Sequence, residues 1–283
     1  MFTLKIENNK GNLIELTQNE SNYQVINIEG LAPPKAQLYT NAVAGMDGEK
    51  FKSSKLDMRN LVLTIKINGD AEANRINLYK CFGSGQWCKV YFKNGSRDVF
   101  IEGYIETIEC PLFTENQQMQ VSIVCPSPYF KSVEIIYTDI SIVTAGFTFP
   151  FTLDDTGVII SQLIPNKITS VINDGEFETG FEIKMRALGD GITTPVIYNA
   201  DTGEFLSVSV ILNKGDVLRI NTNKGSKSIV KIADGVEMNF INYLEYGSTW
   251  LQLEPGINNF TYDAGGERLL EVSFEYHHQY EGV

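Results

Sequence analysis

Much of the chain alternates between apolar and polar residues with a period of two, the pattern of strands that bury one face. Leu61, Leu63, Ile65 and Ile67 fall on one side of such a strand, with Val62, Thr64 and Lys66 on the other. Met119, Val121, Ile123 and Cys125 repeat the pattern, as do Leu270, Val272, Phe274 and Tyr276 near the C-terminus. The segment Phe100 to Cys110 also alternates, with bulky residues at Phe100, Tyr104 and Ile108. Turn chemistry separates the runs. Asn94-Gly95-Ser96 follows Lys89 to Lys93, Asp201-Thr202-Gly203 follows Val196 to Asn199, and Asn223-Lys224-Gly225 follows Val217 to Asn221. Each predicts a hairpin. Trp250 to Leu253 reads as a further strand, ended by Pro255-Gly256. In the second half this spacing is that of an all-β sandwich or barrel.

One segment departs from period two. Asp70 can cap a helix through Ala71 to Phe82, and Gly83 follows as a stop. Ile76, Tyr79 and Phe82 recur every three residues and predict an apolar stripe against a sheet built from Leu61 to Ile67 and Trp87 to Phe92. The prolines of Cys125-Pro126-Ser127-Pro128-Tyr129-Phe130 end a strand and stiffen its exit, which puts a domain boundary close by. The expected fold class is mainly β with two domains. Residues 1–133 form a β-sheet or barrel domain with one helix at about 70–82, and residues 134–283 form a β-sandwich.

Bulk properties narrow the function. At 283 residues the chain is long enough for two cores, and 43% hydrophobic with 20% charged residues argues against disorder. A net charge of −12, with 23 basic residues scattered among 35 acids, argues against stable nucleic-acid binding. Apolar stretches such as Val133 to Ile136 and Ile140 to Val143 are far shorter than the roughly 20 residues of a membrane helix, so no membrane insertion is expected. Met1-Phe2-Thr3-Leu4-Lys5-Ile6-Glu7 lacks the basic and apolar regions of a secretory signal, and a soluble protein folded in the cytosol is expected. Cys81, Cys88, Cys110 and Cys125 lack metal or redox spacing and read as free thiols acting as small hydrophobes.

Candidate chemistry is sparse. The only histidines, His277 and His278, are adjacent, would face opposite sides of a strand, and read as a solvated pair. Asp154-Asp155, Glu176 with Glu178, and Glu102 with Glu106 could serve as paired carboxylates of a glycosidase, but read as solvated charges. Glu102 and Glu106 share a strand face with Tyr104 and could equally meet basic residues of a neighbouring subunit. Trp250 and Trp87 read as core or interface residues ahead of sugar-stacking platforms. No catalytic, cofactor-binding or metal-binding residues are assigned, no cofactor is expected, and the chain reads as a binding or scaffolding protein, not an enzyme.

Several ordered segments resemble the phage distal tail protein (Dit) family of Gram-positive siphophages. In the first half these are Gly30-Leu31-Ala32-Pro33-Pro34-Lys35-Ala36, Asp47-Gly48, Arg59-Asn60-Leu61, Ile67 to Tyr79, Arg97-Asp98 with Ile101 to Glu106, and Cys125 to Phe130. In the second half they are Gly215-Asp216-Val217, Ile220-Asn221-Thr222, Lys224-Gly225 and Trp250 to Asn258. The resemblance implies a virion structural protein of the tail tip or baseplate, made in the bacterial host cytoplasm from a phage or prophage. It implies a hexameric ring between the tail tube protein and the tail-associated hub or fibre protein, with DNA passing through the ring. It also implies galectin-like C-terminal sandwiches that hold receptor-binding proteins for host attachment. A carbohydrate-binding adhesion module for a host cell-wall polysaccharide is the alternative.

Overall fold

The structure, a computed structural model, describes residues 2–17, 19, 21–45, 47–114, 116–145, 161–164, 168–266 and 269–283. The chain divides into two compact units, one of Met1–Glu134 with Gln279–Val283, the other of Ile135–His278. The second domain expected from the sequence spans all of 134–283. Glu134 and Gln279–Val283 instead group with the first unit, where Gln279–Tyr280 add a strand to its sheet.

In the first unit the strands are β1 (Thr3–Asn8), β2 (Leu13–Leu16), β3 (Tyr23–Glu29), β4 (Ala36–Ala42), β5 (Glu49–Leu56), β6 (Arg59–Ile67), β7 (Trp87–Lys93), β8 (Asp98–Glu109), β9 (Gln118–Cys125) and β10 (Phe130–Ser132), with helix α1 at Ala71–Cys81. The main sheet runs β2-β1-β7-β8-β9-β6-β3. Its two ends meet where Thr17 bridges Gln24 and the Val25 amide donates to the Thr17 carbonyl at 2.8 Å, so the sheet closes on itself as a barrel. The alternation read from the sequence sets the inside: Leu61, Leu63, Ile65 and Ile67 of β6 and Met119, Val121, Ile123 and Cys125 of β9 are all buried. The Asp70 carboxylate caps α1 by accepting from the Ala73 amide at 3.1 Å.

The helix does not use the expected stripe. Leu78 and Phe82 are buried with Asn74, whereas Ile76 and Tyr79 are exposed. The reason lies in spacing and in a side-chain bond. Leu78 and Phe82 are four apart and share a helix face, and Asn74 continues that face by donating to the Asn68 carbonyl at 2.8 Å. A stripe of period three drifts around the helix and leaves that face.

The second unit holds β11 (Ile136–Asp139), β12 (Ile142–Ala145), β13 (Ser161–Ile164), β14 (Thr169–Asn173), β15 (Phe181–Ala187), β16 (Ile192–Asn199), β17 (Phe205–Ser207), β18 (Ile211–Leu212), β19 (Val217–Asn221), β20 (Ser228–Ala233), β21 (Val236–Asn239), β22 (Gly256–Gly265) and β23 (Leu270–Tyr276). One sheet runs β11-β23-β15-β19-β20-β21 and another β14-β22-β16-β17 with β18 on β16. Phe181 and Phe274 from the first sheet and Phe260 from the second meet with ring centroids 4.5 to 5.7 Å apart, which stitches the two layers. Trp250 to Leu253 is not a regular strand. Leu253 alone forms a bridge, exchanging two amide bonds with Thr179, while the Gln252 amide donates to nearby carbonyls including that of Thr222 at 3.0 Å. The final strand β24 (Gln279–Tyr280) pairs with β10 in the first unit. No helix among the described residues is long and apolar enough to cross a membrane.

Candidate functional site

Among the described residues, the carboxylate pairs singled out in the sequence lie on separate elements. Asp154-Asp155 lies outside the described residues. Glu178 pairs with Lys224, and Glu176 stands exposed on the same loop. Glu102 and Glu106 are both exposed on the outer face of the barrel, where Glu106 accepts from the Ser122 hydroxyl at 3.0 Å. The histidines are not a solvated pair. His278 is buried, its Nδ1 lies 3.1 Å from Asn173 Oδ1, and its ring packs edge-on against Tyr276; His277 is half-buried. They sit just past the end of β23, where the alternation of burial continues through them. Among the described residues no cluster of three or more His, Cys, Asp or Glu side chains could hold a metal ion. Trp250 packs against the sandwich core, with Lys227 Nζ 5.2 Å from its ring centre, and Trp87 is half-buried opposite Tyr104.

One further carboxylate pair is not apparent in the sequence. Glu182 of β15 stands directly opposite Glu275 of β23. Burial pushes the Glu182 carboxyl up; Arg219 and Lys184 pull it down and Glu275 adds to the rise. The pairing of two distant strands creates this site, so neither segment announces it alone. It lies on a sheet face, where both side chains are half-buried.

What the first unit does present is a projecting ribbon. Strands β4 and β5 pair with each other and with no other described strand. Register sorts their side chains, since opposite residues share a face. Ala36, Leu38 and Ala42 share one face with Leu56 and Phe51; Gln37, Tyr39 and Asn41 share the other with Lys55 and Lys50. Both faces are open: Leu38 is 65% exposed, Phe51 57% and Tyr39 48%.

The root of this ribbon is fastened by Arg59, which is only 2% exposed. Its guanidinium donates to the carbonyls of Gly30 and Ala32, just before β4, to that of Pro128 at 2.9 Å, and to that of Glu281 in the C-terminal segment. It also lies 4.6 Å from the centre of the Phe130 ring. Burial pulls the Arg59 pKa below its ordinary value, opposed by Cys125 and Glu281, and an arginine so bound remains charged. Gly30 is required here by geometry. Its φ is +87°, and a Cβ would run into the Asn60 carbonyl. Three separated segments of the family resemblance thus meet at one guanidinium: Gly30 to Ala36, Arg59 to Leu61, and Cys125 to Phe130.

Residues 174–280 match the family described as siphovirus-type tail component, C-terminal domain. The matched segment resembles the C-terminal domain of the phage distal tail (Dit) family. The Dit likeness extends in fold to the whole chain. The crystal structure of the Dit protein of phage SPP1, described as a paradigm of hub adsorption apparatus in phages infecting Gram-positive hosts, matches with a TM-score of 0.70 at 15% identity over 99% of both chains. Chains from the baseplate of phage P2 in its activated conformation, with calcium and with strontium, match over 100% of both chains, with TM-scores of 0.57 and 0.56 at 10% identity. No curated protein matches the chain. In this Dit-type fold the barrel, the ribbon and the Arg59 junction belong to the first unit, and residues 174–278 of the matched segment to the second.

Proposed function

We propose that the protein is a structural component of a phage tail tip, assembling as a six-membered ring that joins the tail tube to the tail-associated hub protein and carries host-recognition proteins on its sandwich domains. The observation that carries this reading is the β4–β5 ribbon, uncovered on both faces, on a chain with the Dit fold over its full length. A two-stranded ribbon is marginally stable alone in water and requires cover, so a chain that projects one is built to be completed by another protein. The barrel itself offers little for strand addition, because Thr17 and Gln24 join its two ends. The −12 charge suits a ring through which DNA passes without adhering. Negative-stain imaging of the purified chain tests the reading: rings with a central opening are expected, and a uniform field of single particles without rings contradicts it.

One observation favours the alternative of sugar recognition by the second unit. Tyr246 is fully exposed and Tyr243 is 53% exposed on the segment between β21 and β22, and exposed aromatic rings can stack on sugars. Glycan-array binding that is lost in a Tyr243→Ala, Tyr246→Ala variant is the expected outcome of that reading; no binding to any glycan removes it.

A further inference from the structure

The ribbon's two faces differ in chemistry. Leu38, Phe51 and Leu56 lie on one face together with Thr40, Ser54 and Glu49, while Tyr39, Lys50 and Lys55 lie on the other, with Lys52 as the extra residue at the bulge in β5. Three lysines within six positions form a local basic surface on a chain whose net charge is −12. An acidic counterpart exists on the same unit. On the outer face of β8, Glu102, Tyr104, Glu106 and Glu109 are all exposed, with Lys89 of β7 directly opposite Glu102 and Glu106 set at the bulge between Ile105 and Thr107. Tyr104 is 50% exposed and offers an aromatic face among the carboxylates.

We propose that the basic face of the ribbon from one copy seats on the β8 acidic strip of a second copy. The inference rests on the ring reading above and names its contact. Three ammonium groups then meet three carboxylates, and lysine stems and Tyr39 can lie against Tyr104. The donating and receiving patches are different surfaces, so the contact is heterologous. Each copy gives one ribbon and receives one, the arrangement that generates a ring when the rotation closes. Contacts between opposite charges also set register and reject wrong partners.

Charge reversal in the full chain tests this. Lys50→Glu, Lys52→Glu, Lys55→Glu forms one variant, and Glu102→Lys, Glu106→Lys, Glu109→Lys the other, each confirmed as folded by circular dichroism. Light scattering and carbodiimide cross-linking of lysine to glutamate then read assembly, with isotope-labelled and unlabelled chains mixed to mark links between copies. The expected result is an assembled wild type with links from Lys50, Lys52 or Lys55 to Glu102, Glu106 or Glu109 of another copy. Each variant alone associates at least about 100-fold more weakly, and an equal mixture of the two assembles again. A wild-type assembly that survives both reversals overturns the contact and leaves the ring standing. A wild type that stays monomeric without such links overturns the contact and the self-assembled ring together.

Discussion

Replacing Arg59 with Met tests whether one guanidinium holds the ribbon root. Methionine keeps much of the volume and the packing on Phe130 but removes every donor. Four carbonyls, those of Gly30, Ala32, Pro128 and Glu281, lose their partner. Hydrogen bonds to a charged group contribute about 1.5–3 kcal/mol each, so the gross loss has an upper bound near 6–12 kcal/mol. The true figure is smaller, because residues such as Gly30 and Ala32 are themselves partly exposed and their carbonyls can take up water. Methionine also avoids the cost of desolvating a cation. About 3 kcal/mol is therefore expected, a large part of the roughly 5–15 kcal/mol that holds a domain folded. The assay uses the two tryptophans, Trp87 in the first unit and Trp250 in the second. In a Trp250→Phe background Trp87 reports unfolding of the barrel; in a Trp87→Phe background Trp250 reports the sandwich. At a slope of about 2 kcal/mol per molar urea, Arg59→Met lowers the Trp87 midpoint by about 1.5 M and leaves the Trp250 midpoint unchanged. Trypsin also cuts faster at Lys50, Lys52 and Lys55 as the root loosens. A Trp87 shift below about 0.3 M, or an equal shift of both reporters, would refute the reasoning.

Three further outcomes follow from the packing and the titrations. Gly103→Ala places a methyl 2.8 Å from both Cys125 Sγ and Ile123 Cγ2; overpacking of about 1–3 kcal/mol is expected, read as a lower Trp87 midpoint. Glu182→Gln is expected to stabilise the sandwich by about 0.5 kcal/mol at pH 7, because it removes a like-charge cross-strand pair. A carboxyl whose folded pKa is raised opposes folding when ionised, so the gain at Trp250 fades as pH falls and Glu182 becomes protonated in the wild type. A gain that persists undiminished at pH 3 rules out this cause. Burial pushes the Cys88 and Cys125 thiols up to about 12, and both side chains are buried. A thiol reagent at pH 8 should therefore modify Cys81 and Cys110 first, with Cys88 and Cys125 reacting only at the rate of unfolding; mass mapping of early labelling checks the order.

Strand positions with one buried face were legible from the sequence. Leu61 to Ile67, Met119 to Cys125 and Leu270 to Tyr276 alternate because each has the core on one side only. The turns at Asn94, Asp201 and Asn223 were legible because their residues favour tight reversal. The ribbon was not, for the same physical reason that makes it interesting. With neither face against a core, Ala36 to Leu56 follows no apolar alternation tied to burial, and its pattern emerges only once register pairs Leu38 with Ser54 and Asn41 with Lys50. The Arg59 junction was legible only as disconnected motifs, since Gly30, Arg59, Pro128 and Glu281 are remote in sequence. His278 was misread as solvated because its burial depends on Asn173, more than a hundred residues away. The Glu182–Glu275 pair is likewise a product of strand order, which local pattern does not contain.

The central claim is that this chain completes itself by assembling with its own copies. The most direct test is the solution mass of the full-length protein by multi-angle light scattering, across a range of concentrations and at low salt. The account predicts a discrete species at six times the 31.7 kDa chain mass, which dissociates as salt screens the charged contact. A single species at 31.7 kDa at every concentration and salt level would contradict it.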